Sequence, residues 1–165
     1  MNATDRTSVL ALRDLHPDDL PRIVEIERAS YSTPWRRSTF EGLLRRSDTD
    51  LIGGTLEGRL VGYSVTWTIL DQAELGNVAV APEARNRGLG RMLVRAALRR
   101  AQARGARECY LEVRQSNATA QRIYRGLGFL PVGVRRRYYA DPIEDAVVMR
   151  ARLQGDGSDH ATMGS

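Results

Sequence analysis

The chain has 165 residues, 42% of them hydrophobic and 27% charged, so we expect one domain with a substantial hydrophobic core. Its single cysteine, Cys109, excludes an internal disulfide framework and a cysteine-ligated zinc cluster, and we expect no metal. No apolar run reaches the length of a membrane span and the N-terminus lacks a signal-peptide layout, so we expect a cytoplasmic protein without membrane contact.

The net charge is +5, and all 25 basic residues are arginine. Codon bias is one explanation, and a basic face for a polyanion, either cofactor phosphates or RNA, is the other. Arg91, Arg95 and Arg99 recur at i, i+4 and i+8 of a predicted helix without acidic partners. A solvated face near a bound cofactor accounts for this stripe, and we do not expect nucleic-acid binding.

Two helices and three strands are predicted in the first half of the chain. Ser8–Leu15 is a strand, and Pro17 begins a helix that ends before the breaker Ser32–Trp35. Arg36–Arg46 is a shorter helix, and two strands joined as a hairpin at residues 57–59 follow it. In the second of these strands small residues alternate with large apolar ones, which predicts one large apolar face made of Val61, Tyr63, Val65, Trp67 and Ile69.

The second half begins with the strand Ala73–Ala81 and the amphipathic helix Gly88–Arg104. The remaining elements are the strand Cys109–Val113, a helix from its cap Asn117 to about Leu127, and the strands Phe129–Tyr139 and Glu144–Leu153. The order β-α-α-β-β-β-α-β-α-β-β suits the α/β class, with a mixed sheet covered by helices on both faces. We expect a domain over residues 8–153 and flexible termini over residues 1–7 and 154–165.

The turn between the strand ending at Ala81 and the following helix has the form Arg85-x-x-Gly88-x-Gly90. Such a turn directs unpaired backbone N–H groups and the positive end of a helix dipole at one point, where a phosphate group fits. The absence of lysine excludes a P-loop, and Leu93 stands where a dinucleotide-binding fingerprint has its third glycine. A strand-to-helix turn that binds nothing remains the alternative.

Further motifs carry a resemblance to a known family. The turn, the run Leu111–Asn117 (L-E-V-R-Q-S-N) and the pair Tyr138-Tyr139 resemble the GCN5-related N-acetyltransferases, and specifically their RimI branch. The resemblance extends from Leu10 to Leu153. It implies a mixed, mostly antiparallel sheet, acetyl-CoA as the acetyl donor and a protein N-terminus as the acceptor. In the RimI branch that acceptor is the N-terminal alanine of the small-subunit ribosomal protein S-eighteen, and other peptide N-termini are further candidates.

The resemblance also implies which residues contact acetyl-CoA. They belong to the strand whose backbone N–H groups polarise the thioester carbonyl where, in the family, it separates from its neighbouring strand, to the phosphate-binding turn and to the cap of the helix that ends at about Leu127. These residues are Val78, Ala79, Val80, Arg85, Asn86, Arg87, Gly88, Leu89, Gly90, Arg91 and Asn117.

Glu112 and Tyr124 are the expected general base and general acid. Glu112 lies between apolar neighbours in a strand, where partial desolvation raises the pKa of a carboxyl group. A structural ion pair with Arg114 or another arginine is the alternative. Tyr124 lies two helical turns after Asn117 on the same helix face, and spacing alone also explains it as a core residue. The catalytic role of each is what the resemblance implies.

Aromatic residues in the first helix–helix connection and in the last hairpin are expected to line the acceptor site. In the family these two segments close over the peptide N-terminus, although core or rim packing explains the same residues without a ligand. The aromatic residues are Tyr31, Trp35, Tyr138 and Tyr139, and the acids expected to help anchor the substrate ammonium are Glu74 and Asp145.

Two other functions are compatible with these residues. An enzyme of the same fold could acetylate a lysine or a small-molecule amine instead of a protein N-terminus. A non-catalytic module that binds acetyl-CoA or ribosomal RNA is suggested by the arginine excess.

Overall fold

A computed structural model describes residues 9–154. The elements are β1 (Leu10–Asp14), α1 (Leu20–Ser30), α2 (Arg37–Arg45), β2 (Thr49–Leu56), β3 (Arg59–Ile69), β4 (Gln72–Val80), α3 (Leu89–Ala103), β5 (Glu108–Arg114), α4 (Ala118–Gly126), β6 (Phe129–Ala140) and β7 (Ile143–Arg152). This order confirms the predicted one. Apart from Gln154, the termini expected to be flexible lie outside the described residues, as does Ser8. No helix in residues 9–154 is long and apolar enough to span a membrane.

The seven strands form one sheet in the order β1-β2-β3-β4-β5-β7-β6, and only the pairing of β4 with β5 is parallel. That pairing is restricted to Gln72–Glu74 opposite Glu108–Tyr110, after which the two strands separate. The sheet therefore consists of two antiparallel parts with a gap between them, as the family resemblance implied.

Residues of β4 beyond Glu74 direct part of their backbone into this gap. The Ala81 N–H donates to the Val61 carbonyl at 2.7 Å, which continues the ladder between β4 and β3. Because backbone groups alternate in direction along a strand, those of Val78 and Val80 are directed away from β3 and into the gap, while those of Ala79 face β3.

A bulge at Gly76 changes which face the later residues of β4 occupy. Val65 pairs with Asn77 whereas Thr66 pairs with Leu75, so Gly76 has no partner and Asn77 lies on the α1 face of the sheet. Glycine is required here, because a Cβ atom would lie 2.2 Å from Cζ3 of Trp67.

Two hydrophobic cores lie against the two parts of the sheet. The first joins α1, α2 and the start of α3 to β2–β4, and the second joins the rest of α3 and the start of β4 to β5, β7 and the start of β6. The predicted apolar face of β3 packs under α1 and α2 except at its end, where Ile69 is 58% exposed because no helix covers it. The opposite face, with Ser64 and Thr66, is also fully buried, which the prediction of a single apolar face missed.

Candidate active site

A cavity of about 310 Å³ passes through the gap between β4 and β5. Its lining comes from both faces of the sheet, since α1 and the connection after it line one side and α4 lines the other. Eight of the predicted site residues line this cavity, and they are Tyr31, Trp35, Val78, Glu112, Asn117, Tyr124, Tyr138 and Tyr139.

Glu112 lies on β5 with its side chain 14% exposed and forms an ion pair of 3.3 Å with Arg135 of β6. Burial is the main influence that raises its pKa, and the negative charge of Glu74 raises it further while Arg135 lowers it. The ion pair expected as an alternative role is therefore present, although its partner is Arg135 and not Arg114. A carboxylate with a raised pKa and an exposed counter-ion can still accept a proton.

Tyr124 projects from α4 into the cavity, and its ring packs edge-on against Phe129 with 5.8 Å between the ring centroids. Tyr124 therefore packs against the second core and also lines the cavity, and its catalytic role stays a prediction. Burial raises the pKa of its phenol to about 12, which keeps the hydroxyl protonated near neutral pH. The helix starts as predicted, with Asn117 Oδ1 accepting the Ala120 N–H at 3.1 Å.

Aromatic residues from the two predicted segments surround the cavity. The Tyr31 hydroxyl donates to the Val78 carbonyl in the gap. Trp35 packs against Phe40 with 5.6 Å between ring centroids, so it belongs to the first core as well as to the cavity wall. Tyr138 and Tyr139 enter from the hairpin between β6 and β7.

Arg114 links these two segments, which sequence reasoning did not foresee. Its guanidinium donates to the carbonyls of Asp141 and Pro142, each at 3.1 Å, and to Ser32 Oγ at 3.2 Å. It also lies 4.3 Å from the ring centroid of Tyr139. The end of β5, the last hairpin and the connection after α1 are therefore held together above the cavity.

The two acids expected to anchor an ammonium group lie elsewhere. Glu74 accepts a hydrogen bond of 3.2 Å from Trp67 Nε1 and shares with Glu112 the lining of a second cavity of about 460 Å³. Asp145 accepts the Arg137 N–H at 2.8 Å, so its carboxylate is engaged on the backbone of β6. Asp145 lines neither of the two cavities, and its role in anchoring an ammonium group stays a prediction.

The predicted phosphate-binding turn has the geometry that an anion requires. Asn86 and Gly88 adopt φ angles of 62° and 82°, and Gly88 caps α3 without a side chain. The Met92 N–H is bonded to the Gly88 carbonyl at 3.1 Å, so the N–H groups of Leu89–Arg91 precede the helical bonding pattern and point out of the helix end. These groups fit a pyrophosphate of the kind that coenzyme A carries.

Sequence reasoning also missed Glu27, a fully buried acid on α1 that lines the cavity. Its position four residues after Ile23 and directly after Ile26 places it on the apolar face of the helix. An acid on an apolar face is the signal that could have found it.

Comparison with known proteins identifies the family to which the chain belongs. The sequence profile described as "Acetyltransferase (GNAT) family" matches residues 11–129. The ribosomal protein bS18-alanine N-acetyltransferase of Salmonella typhimurium is 39% identical over 137 residues, covering 82% of this chain and 92% of that protein. The enzyme of the same name from Escherichia coli is 36% identical over 142 residues, covering 84% and 94%.

Solved structures give the same result. The crystal structure of the E. coli ribosomal-protein-S18-alanine N-acetyltransferase matches with a TM-score of 0.83 and 33% identity, covering 92% of this chain and 98% of that one. The profile matches more than half of the chain, and the relatives match over most of its length. The chain therefore belongs to the acetyltransferase (GNAT) family and is an N-acetyltransferase.

Proposed function

We propose that this enzyme transfers the acetyl group of acetyl-CoA to the α-amino group of a protein N-terminus, with the N-terminal alanine of ribosomal protein bS18 as its main acceptor. The observation that carries this proposal is the convergence of Glu112, Tyr124 and four aromatic residues on one cavity that crosses the sheet. The names of the relatives support the choice of acceptor. Such an acceptor also places the reaction in the cytoplasm.

Acetyl-CoA supplies the thioester from which the acetyl group is transferred. We assign its pyrophosphate to the turn Arg85–Arg91, whose free N–H groups and helix dipole favour negative charge. The N–H groups of Val78 and Val80 are directed into the gap, where they can stabilise negative charge that develops on the thioester oxygen. Asn117, which lines the cavity at the start of α4, is the remaining residue that we assign to acetyl-CoA binding.

Glu112 is assigned the role of general base. An α-amino group has a pKa near 8 and a lysine amine a pKa near 10.4, so neutralising them at pH 7 costs about 1 and about 4.6 kcal/mol respectively. A carboxylate whose pKa is raised by burial is a sufficient base for the first amine, acting directly or through a water molecule.

Tyr124 is assigned the role of general acid for the departing thiolate. Its phenol remains protonated near neutral pH because burial raises its pKa to about 12. A tyrosine hydroxyl in the cavity can therefore donate its proton when the thiolate forms.

The acceptor is assigned to the side of the cavity that carries Tyr31, Trp35, Tyr138 and Tyr139. The hydroxyl groups of the tyrosines offer hydrogen bonds to a peptide backbone, and their rings enclose a small first side chain. Glu74, next to Glu112 in the adjoining cavity, adds negative charge that attracts the incoming ammonium group.

The test is to incubate the protein with acetyl-CoA and a peptide that copies the first residues of bS18, and to follow the free thiol. Two matched acceptors are the same peptide with a blocked N-terminus and an internal lysine, and a set of small-molecule amines. Turnover on the free N-terminus alone supports the proposal. Turnover on the blocked peptide instead would indicate a lysine acetyltransferase, and turnover on the small amines instead would indicate an enzyme for small-molecule amines. Binding of acetyl-CoA without any turnover would indicate a non-catalytic module.

A further inference from the structure

Glu27 of α1 is a carboxylate in the wall of the reaction cavity that the proposed chemistry does not use. The whole residue is 1% exposed. Removing a carboxylate from water is unfavourable unless other groups replace its hydration. The partners of Glu27 therefore indicate why an acid is placed there.

Three donors from three different elements converge on this carboxylate. The Trp35 N–H, in the connection after α1, donates to Oε1 at 3.0 Å. Asn77 Nδ2 of β4 donates to Oε2 at 2.7 Å, and the hydroxyl of Tyr63 on β3 donates to the same oxygen. Tyr63 is completely buried and Asn77 is 8% exposed, so water does not replace these bonds. Burial raises the pKa of Glu27, and the three hydrogen bonds oppose this shift.

The position of Asn77 depends on the bulge at Gly76. Residues two apart on a regular strand share a face, yet Leu75 packs in the second core while Asn77 faces α1. The bulge rotates the strand between them, at the point where β4 has already left β5. Glu27 therefore bonds to β4 within the segment that has lost its neighbouring strand.

A second bond joins α1 to the same segment. Tyr31, whose N–H closes the last turn of α1 on the Glu27 carbonyl at 3.1 Å, donates its hydroxyl to the Val78 carbonyl. Asn77 and Val78 are adjacent, so the end of α1 bonds to two consecutive residues of the separated strand. Side chains of α1 and of Tyr31 directly after it therefore contact β4 where β5 no longer pairs with it.

We propose that Glu27 is a positioning residue that sets the geometry of the separated β4 segment and of the connection after α1, and so aligns the Val78 N–H with the acceptor-binding aromatic residues. Both of its oxygens are occupied by protein donors, so it does not accept the substrate proton. This inference rests on the proposed function for its catalytic consequence, and its structural part stands on the contacts alone.

The test compares Glu27→Leu and Glu27→Gln with Glu25→Gln, a control on the same helix whose side chain is 68% exposed. Leucine removes every bond, whereas glutamine keeps an acceptor for Trp35, and Tyr63 and the Asn77 amide can reverse towards its NH₂ group. Hydrogen exchange is measured by mass spectrometry for residues 28–36 and 75–80 and for α3, together with kcat and KM on the bS18 peptide.

We expect Glu27→Leu to raise exchange by about tenfold or more in residues 28–36 and 75–80, with α3 unchanged. Its kcat should fall by about 100-fold, while the dissociation constant for acetyl-CoA changes less than about twofold. Glu27→Gln should retain most of the activity and Glu25→Gln all of it. Exchange unchanged in both segments, or raised equally in α3, overturns the proposal.

Further variants and the separate measurement of exchange cover two other outcomes. Where Glu27→Leu does not fold, Tyr63→Phe and Asn77→Ala each remove one donor and should give the same exchange pattern at smaller amplitude, and no change in either would contradict the proposal. Where the wild-type protein does not acetylate the peptide, the proposed function fails while the exchange data still decide the role of Glu27.

Discussion

Glu112 and Arg135 form an ion pair across β7, the strand that separates β5 from β6 in the sheet. The Arg135 side chain is 60% exposed, whereas that of Glu112 is 14% exposed. Arg135 also lies 5.9 Å from the ring centroid of Tyr138. The proposed base is thus held in its charged form by an exposed counter-ion that an incoming cationic amine can displace.

Arg135→Gln should move the acid limb of the pH profile of kcat/KM to higher pH. Arg135 favours the charged form of Glu112, so its removal raises the pKa of a group that must be deprotonated to act as base. Activity on the alkaline plateau should stay within about twofold of wild type, since the surface pair contributes little energy. Arg136→Gln changes the net charge equally at an exposed neighbouring position and should leave the profile in place. An equal shift in both variants would contradict a specific role for Arg135.

Glu112→Gln should lower kcat by about 10²- to 10⁴-fold, which is the usual effect of removing a general base. The affinity for acetyl-CoA should remain unchanged, because the proposed donor contacts lie on β4, α3 and α4. Steady-state rates and equilibrium binding measure the two quantities. Glu108→Gln is the matched control, since Glu108 lies on the same face of β5 but bonds to Tyr110 outside the reaction cavity. Comparable losses in the two variants would remove Glu112 from the mechanism.

Tyr124→Phe should lower kcat by about tenfold or more and leave the melting temperature nearly unchanged. The ring keeps its edge-on packing with Phe129, so only the hydroxyl is lost. Thermal unfolding and turnover on the peptide, measured on the same preparation, separate the two roles. A large drop in melting temperature without loss of activity would show that Tyr124 is a core packing residue and not the general acid.

Gly76→Ala should destabilise the fold by about 1–3 kcal/mol, because the new methyl group would lie 2.2 Å from Trp67. Gly42 in α2 offers the opposite case, since a Cβ atom there meets nothing within 4 Å. Gly42→Ala should therefore stabilise the protein by about 0.5–1 kcal/mol. Urea unfolding of both variants checks the signs, and destabilisation by Gly42→Ala would contradict the open space at this position.

The order of elements could be predicted because each segment carries its own periodicity. Alternating residues in β3 and the 3.6-residue pattern of α3 are local properties of the chain. The gap beside β4 could be expected only from the family resemblance, because the parallel pairing joins residues more than thirty positions apart. The bulge at Gly76 could not be foreseen, since Gly53, which also lies within a strand, is in regular pairing.

The sequence predicted which residues line the candidate site better than it predicted the contacts between them. Eight predicted residues line one cavity because the L-E-V-R motif and the aromatic segments carry family-specific identities. Their partners depend on the tertiary structure. Arg135 reaches Glu112 across β7, and the Arg137 N–H bonds to the Asp145 carboxylate, contacts that join different strands of the sheet.

The three residue pairs that join β4 to β5 have a consequence for the motions of the enzyme. Glu112 and Tyr124 belong to one part of the sheet, and Val78 and Tyr31 to the other. Helix α3 contributes to both cores, with Leu89 and Leu93 in the first and Val94, Ala97 and Ala101 in the second. A ligand bound in the gap would contact both parts of the sheet and hold them together. On the proposed function, acetyl-CoA bound in the gap therefore holds the catalytic groups of the two parts in one arrangement.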